Sequence, residues 1–159
     1  MVVKIICAGK LKEKFYIEAF EEYKKRLNGF CKLDVCEIQE TRLSDNPSQK
    51  EIDAALEKEA KEIEKNFLKN SFIVAMCIEG RQMDSIKFAD FFKDRALSGK
   101  PDICFVMGSS FGMAERIKKN ADIKLSMSEM TFPHHLARVM LAEQIYRAFN
   151  INNGSRYHK

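Results

Sequence analysis

Two loops in the second half of this chain gather side chains that could hold a ligand or move a chemical group. The stretch Leu125-Ser126-Met127-Ser128-Glu129-Met130-Thr131-Phe132-Pro133-His134-His135 combines hydroxyls, a carboxylate and two imidazoles. Upstream of it, Gly108-Ser109-Ser110-Phe111-Gly112 follows an apolar run directly, as does Glu79-Gly80. Glycines there allow close approach to the backbone and leave N–H and C=O groups free to bond a ligand. Neither loop is a Walker phosphate loop, since no Gly-Lys-Ser/Thr follows, and neither has the G-x-G-x-x-G spacing of dinucleotide sites. Arg147, Tyr157 and His158 form a third group: a guanidinium able to hold a phosphate or a developing oxyanion, a ring that can stack, and a titratable imidazole. Arg147 is equally well spaced to pair with Glu143 one turn earlier. His134, at a helix start, suits a structural role as well as a catalytic one.

These groups need a frame, and hydrophobic periodicity predicts one. Residues 2–8, 71–78 and 103–107 are almost continuously apolar, as strands buried on both faces are; 33–38 and 123–127 alternate. Between them fall helical patterns. Residues 13–27 carry Phe15, Ala19, Tyr23 and Leu27. Ser48 and Glu51 form a capping box for a helix to about residue 68, marked by Ile52, Leu56, Ile63 and Phe67 and otherwise rich in solvated Glu and Lys. Asp84 caps a third helix, and residues 113–119 form a short fourth. Pro133 suits the first turn of a last helix reaching about Phe149, with Thr131 as its N-cap. The alternation predicts a single α/β domain over 1–159, a parallel sheet covered by helices on both faces. Its strand ends share one edge, where the three loops meet. In the last helix Leu136, Val139, Met140, Leu141, Ile145, Ala148 and Phe149 go round the whole circumference. That pattern predicts burial on all sides and hence a second subunit packed on this helix.

Composition narrows the class. The 159 residues carry a net charge of +4, which permits a nucleic-acid partner without demanding one. The five cysteines, at 7, 31, 36, 77 and 104, are odd in number and lack C-x-x-C spacing. They predict reduced thiols in a cytoplasmic protein, with no metal centre. Residues 2–9 are too short for a secretion signal, and no run approaches membrane-spanning length.

The loops, the last helix and the tail together carry a resemblance. Phe105-Val106-Met107-Gly108-Ser109-Ser110-Phe111-Gly112, Leu125 to His134, Glu143-Gln144-Ile145-Tyr146-Arg147-Ala148-Phe149 and Tyr157-His158-Lys159 resemble the RlmH-type methyltransferases of the SPOUT class, as does Gly9-Lys10-Leu11-Lys12. The resemblance implies a Rossmann-like sheet with a C-terminal trefoil knot, one of the exceptions to the no-knot rule. It also implies a homodimer, no membrane or DNA partner, and S-adenosylmethionine as methyl donor. The acceptor would be N3 of a pseudouridine in 23S ribosomal RNA, presented by the ribosome or its large subunit. Donor contacts would fall on Met76, Gly108, Met127, Ser128, Glu129, Met130, Thr131 and Phe132, and catalysis on His158, Tyr157 and Arg147. Ser109-Ser110 departs from relatives that have a second glycine there. RNA contacts are expected from Arg81, Arg116, Lys118, Lys119, Arg138, Arg147, Arg156 and Lys159. A SPOUT enzyme acting on transfer RNA and a non-enzymatic RNA-binding dimer are the alternative readings.

Overall fold

The computed structural model describes residues 1–158; Lys159, included above in the tail and among the RNA-contact residues, lies outside them. Five strands alternate with five helices: β1 (Val2–Ala8), α1 (Lys14–Leu27), β2 (Lys32–Ile38), α2 (Gln49–Lys65), β3 (Phe72–Gln82), α3 (Ser85–Ala96), β4 (Ile103–Met107), α4 (Glu115–Asn120), β5 (Ile123–Ser126) and α5 (His134–Asn152). The strands form one parallel sheet in the order β2-β1-β4-β3-β5. β4 is buried along its whole length, as its unbroken apolar sequence requires.

Two cores form, one on each face. Phe20 and Leu27 of α1, Phe88 and Phe92 of α3, and Leu141, Ala142, Ile145 and Ala148 of α5 pack on Val3, Ile5, Val74, Ile103 and Phe105. On the other face Ala60 and Ile63 of α2 and Ile117 of α4 cover Ile6, Ala8, Ala75 and Val106. The five cysteines are free thiols, and burial pushes Cys7 up to about 12, leaving it unreactive.

Several local expectations are borne out. Ser48 and Glu51 bond reciprocally as a capping box, and Asp84 accepts from the Lys87 amide. Others are corrected. Pro133 is itself the N-cap of α5, so Thr131 does not cap it; the proline instead ends an extended loop. The buried face of α1 is turned from Phe15 to Phe20, and Phe15 is left 63% exposed. Glu59 of α2 is buried, where its carboxylate accepts the Thr41 amide at 2.7 Å and holds the linker after β2. The third strand does not end at residue 78. It bulges and continues through Glu79-Gly80 to pair Arg81 and Gln82 with Leu125 and Ser126. Gly80 is needed there because a Cβ would lie 2.6 Å from the Leu125 backbone.

The encirclement of α5 is largely achieved within the chain. Between α1 and α3, its residues Arg138, Leu141, Ala142, Ile145 and Ala148 are fully buried, and Leu136, Val139, Met140 and Tyr146 half-buried. Arg138 is 1% exposed; it donates to Glu37 Oε1 at 2.6 Å and to the Gly9 carbonyl at 2.8 Å.

This pair generates a stability prediction. Glu37→Ala strands a buried guanidinium and lowers stability by about 3–5 kcal/mol, whereas Lys61→Ala on the exposed side of α2 stays within about 0.5 kcal/mol. Chemical denaturation midpoints measure both; equal effects would contradict the ion pair's role.

Candidate functional site

The carboxyl ends of β3, β4 and β5 open into a cavity of about 690 Å³, within the range of small-molecule sites. Its position follows from the strand order. β5 lies at the sheet edge, yet α5 begins beside the end of β1, so residues 127–133 must cross the ends of β3 and β4. The crossing segment makes one wall and the Gly108–Gly112 loop makes another. Met76, Met107, Met127, Phe111 and Phe132 supply apolar surface; Ser110, Ser128, Thr131 and His134 supply polar groups.

Both walls are locally fixed. Ser109 and Gly112 exchange two backbone hydrogen bonds of 2.9 Å, closing a tight loop in which Gly112 has φ +92°. A Cβ on Gly108 would lie 2.1 Å from the Gly112 carbonyl oxygen, so the glycine is required by the loop's own packing. Ser126 Oγ donates to the Ser128 carbonyl and Ser128 Oγ accepts the Met130 amide, an ST turn that shapes the second wall. Among the described residues, the backbones of Gly108, Met127, Thr131 and Phe132 make no such loop hydrogen bonds. Cavity-lining amides and carbonyls without partners are what a polar ligand would satisfy.

Of the residues assigned to donor binding, Met76, Gly108, Met127, Ser128, Met130, Thr131 and Phe132 line this one cavity. Glu129 is exposed and does not line it. The residues assigned to catalysis sit elsewhere, on the outward side of α5. There Glu143 accepts from Arg147 at 2.6 Å and from the Tyr157 hydroxyl at 3.1 Å; Arg147 lies 4.8 Å over the Tyr157 ring and 3.4 Å from His158 Nδ1. The Arg147–Glu143 pair thus forms, and it holds the tail against its own helix. The Glu143 hydrogen bonds keep the guanidinium cationic, and burial and the neighbouring Tyr23 and Glu143 push the Tyr157 phenol upward.

Several expected RNA contacts are otherwise engaged. Arg138 is buried, so it cannot reach RNA; Arg116 bonds Glu57 and Glu64 of α2. Lys118 pairs with Glu79 at the cavity wall, an ammonium that holds the Glu79 carboxyl below its ordinary range. Arg81, Lys119 and Arg156 are exposed.

Sequence reasoning missed Glu40. It lies in the polar linker after β2, yet its carboxylate accepts the Ser110 amide and hydroxyl at 3.3 and 3.0 Å. Only the β1–β4 adjacency brings it there. His134, half-buried in the wall, has no hydrogen-bond partner among the described residues; its ring contacts His135, which bonds Glu13 at 2.8 Å. Burial, and then the neighbouring His135 ring, hold His134 below its ordinary value near 6.5. Among the described residues no cluster has the makings of a metal site, and no helix is long and apolar enough to cross a membrane.

The family model described as "Predicted SPOUT methyltransferase" matches residues 1–158. The chain is 46% identical, over the full length of both proteins, to ribosomal RNA large subunit methyltransferase H of Clostridium kluyveri, and 44% identical to the protein of that name from Clostridium beijerinckii, again over both full lengths. A solved probable methylase family protein from Haemophilus influenzae shares the fold, with a TM-score of 0.55 at 15% identity, over 99% of this chain and 70% of that one.

The lowered His134 value has a consequence for stability. The unfolded chain takes up this proton more readily, so the histidine's contribution is complete above about pH 6.5 and is lost as pH falls through the lower folded value. Denaturation midpoints should fall as pH drops below about 6.5, and His134→Gln should flatten that part of the curve. A variant curve parallel to the parent's would contradict the assignment.

Proposed function

The chain belongs to the SPOUT methyltransferase family, and on that premise we propose that it transfers the methyl group of S-adenosylmethionine to N3 of a pseudouridine in 23S ribosomal RNA. One observation carries the reading: the residues that the family resemblance gives to the donor, apart from Glu129, converge on a single cavity whose backbone groups at Gly108, Met127, Thr131 and Phe132 have no loop hydrogen bond among the described residues. Its volume and its mixture of thioether, aromatic and backbone surface suit a nucleoside joined to an amino acid. The two relatives compared above are named for ribosomal RNA large subunit methylation, which is the basis for the acceptor. The crossing of residues 127–133 over two strand ends, followed by α5, favours the trefoil knot of the family.

When bound, the donor supplies an electrophilic methyl carbon on a sulfonium. Met76 and Met127, with the backbones of Gly108 and Phe132, line the cavity and are the groups that would hold it. Holding the acceptor nitrogen in line with that carbon can supply about 7–11 kcal/mol of the barrier. N3 must also lose its proton. In the tail cluster Tyr157, with its raised value, remains a phenol and donates a hydrogen bond. Arg147, cationic throughout, faces charge developing on the imide oxygens. The imidazole of His158 then accepts the N3 proton as the carbon–nitrogen bond forms and the carbon–sulfur bond breaks.

The cluster lies on its own α5, away from its own cavity. Such a tail can act on the cavity of a second copy, so the proposed enzyme is a homodimer with composite sites, working in the cytoplasm where ribosomes are found. A groove beside α5, lined by Met83, Met127, Val139, Met140 and Glu143, is continuous with the tail cluster and offers apolar surface for that contact.

Two variants separate binding from chemistry. A chain ending at Asn153 should keep donor affinity within about twofold and lose at least about 100-fold in turnover, the usual worth of positioned acid–base groups. Gly108→Ala should weaken donor binding by about tenfold or more, 1.4 kcal/mol per decade. Calorimetry with S-adenosylmethionine and methyl incorporation into ribosomal subunits measure both. Normal turnover by the truncated chain would refute the tail assignment.

A further inference from the structure

Of the expected RNA contacts, Arg116, Lys118, Arg138 and Arg147 are engaged in ion pairs while Arg81, Lys119 and Arg156 are exposed, which leaves the question of what else holds the polynucleotide. We propose that the β1–α1 segment, Lys10 to Phe15, is the surface on which the RNA strand docks; this rests on the function proposed above. Lys10, Lys12 and Lys14 are all exposed. Among the described residues Lys10 and Lys12 have no acidic partner, and Lys14 has only Glu18, at 3.6 Å and in solvent. The acids nearby are committed elsewhere: Glu13 to His135, Glu37 to Arg138 and the Leu11 amide, Glu40 to Ser110. Exposed lysines of α2, by contrast, stand among the glutamates of the same helix. Phe15 is 63% exposed and is propped against Tyr16, ring centroids 4.3 Å apart. Free lysines beside a solvent-facing ring are the elements of single-strand recognition, cations tracking phosphates and an aromatic on which a base stacks.

The segment is also held in a fixed place relative to the cavity. The Gly9 carbonyl is bonded by Arg138, and Glu13 is bonded to His135 in the first turn of α5. That same turn lines the cavity through His134 and Ala137. A strand lying along Lys10–Phe15 would therefore run beside the cavity mouth, in position to turn one nucleotide inward. Phe111, 44% exposed on the facing wall, is placed to meet it.

The test uses the full chain and large ribosomal subunits from a strain lacking the methylation, with co-sedimentation and methyl incorporation read in parallel. Lys10→Ala/Lys12→Ala/Lys14→Ala should raise KM about tenfold near 0.1 M salt and lower the slope of log binding against log salt by about two, at 0.7–0.9 per lost phosphate contact. Its affinity for S-adenosylmethionine and its kcat should stay unchanged. The triple arginine variant should behave as the parent, Phe15→Ala should raise KM while Phe15→Tyr does not, and Lys58→Ala/Lys61→Ala on α2 should have no effect. Parental KM and salt slope in the alanine triple would overturn the proposal. So would weaker binding with an unchanged salt slope, which would indicate a protein contact. A parent chain that binds subunits but transfers no methyl group would count against the proposed function, while co-sedimentation would still decide whether the lysines hold RNA.

Discussion

One buried cation fixes the geometry of this protein. Arg138 sits in the second turn of α5 with its side chain 1% exposed, bonded to Glu37 at the end of β2 and to the Gly9 carbonyl at the end of β1. A guanidinium in that environment is tolerable only with its partners in place. The helix is thereby anchored over β1 and β2, although the strand that precedes it, β5, lies at the opposite edge of the sheet. The segment between runs across the ends of β3 and β4. The cavity is the space under that crossing.

Much else follows from the same constraint. Gly80 is a glycine because β3 must bulge and pair with β5 where the backbones nearly touch, and Gly108 because its loop folds back on Gly112. Ser126 and Ser128 spend their hydroxyls on shaping the crossing segment, which leaves other backbone groups facing the cavity. Glu13 and His135 add a second tie between the start of α1 and the start of α5. The β1–α1 segment is thus tied to α5 at Gly9 and at Glu13.

The sequence was most informative where one rule acted alone. Apolar runs gave β1 and β4 within a residue of their ends, and the Ser48–Glu51 box and the Asp84 cap were legible from spacing. It was least informative where tertiary packing decides. Phe15 and Phe20 both suit the apolar face of α1, and only docking on the sheet chooses Phe20. Glu37, Glu40, Glu59 and Arg138 look like ordinary surface charges in the chain, yet each is given a specific partner by residues distant in sequence. The residues assigned to the donor came from the family resemblance, and they line one cavity except for Glu129, which is exposed. The tail residues Arg147, Tyr157 and His158 cluster as their types suggested, but around Glu143 and not around the cavity.

The proposed methylation by this cavity and this tail would leave its mark on ribosomal RNA. The most direct measurement is nucleoside mass mapping of 23S ribosomal RNA from a host lacking the homologous enzyme, with and without this gene supplied. One added methyl group on a pseudouridine, at N3, should appear only when the gene is present. An unchanged nucleoside profile despite folded, donor-binding protein in the cell, or a methyl group appearing only on transfer RNA, would contradict it.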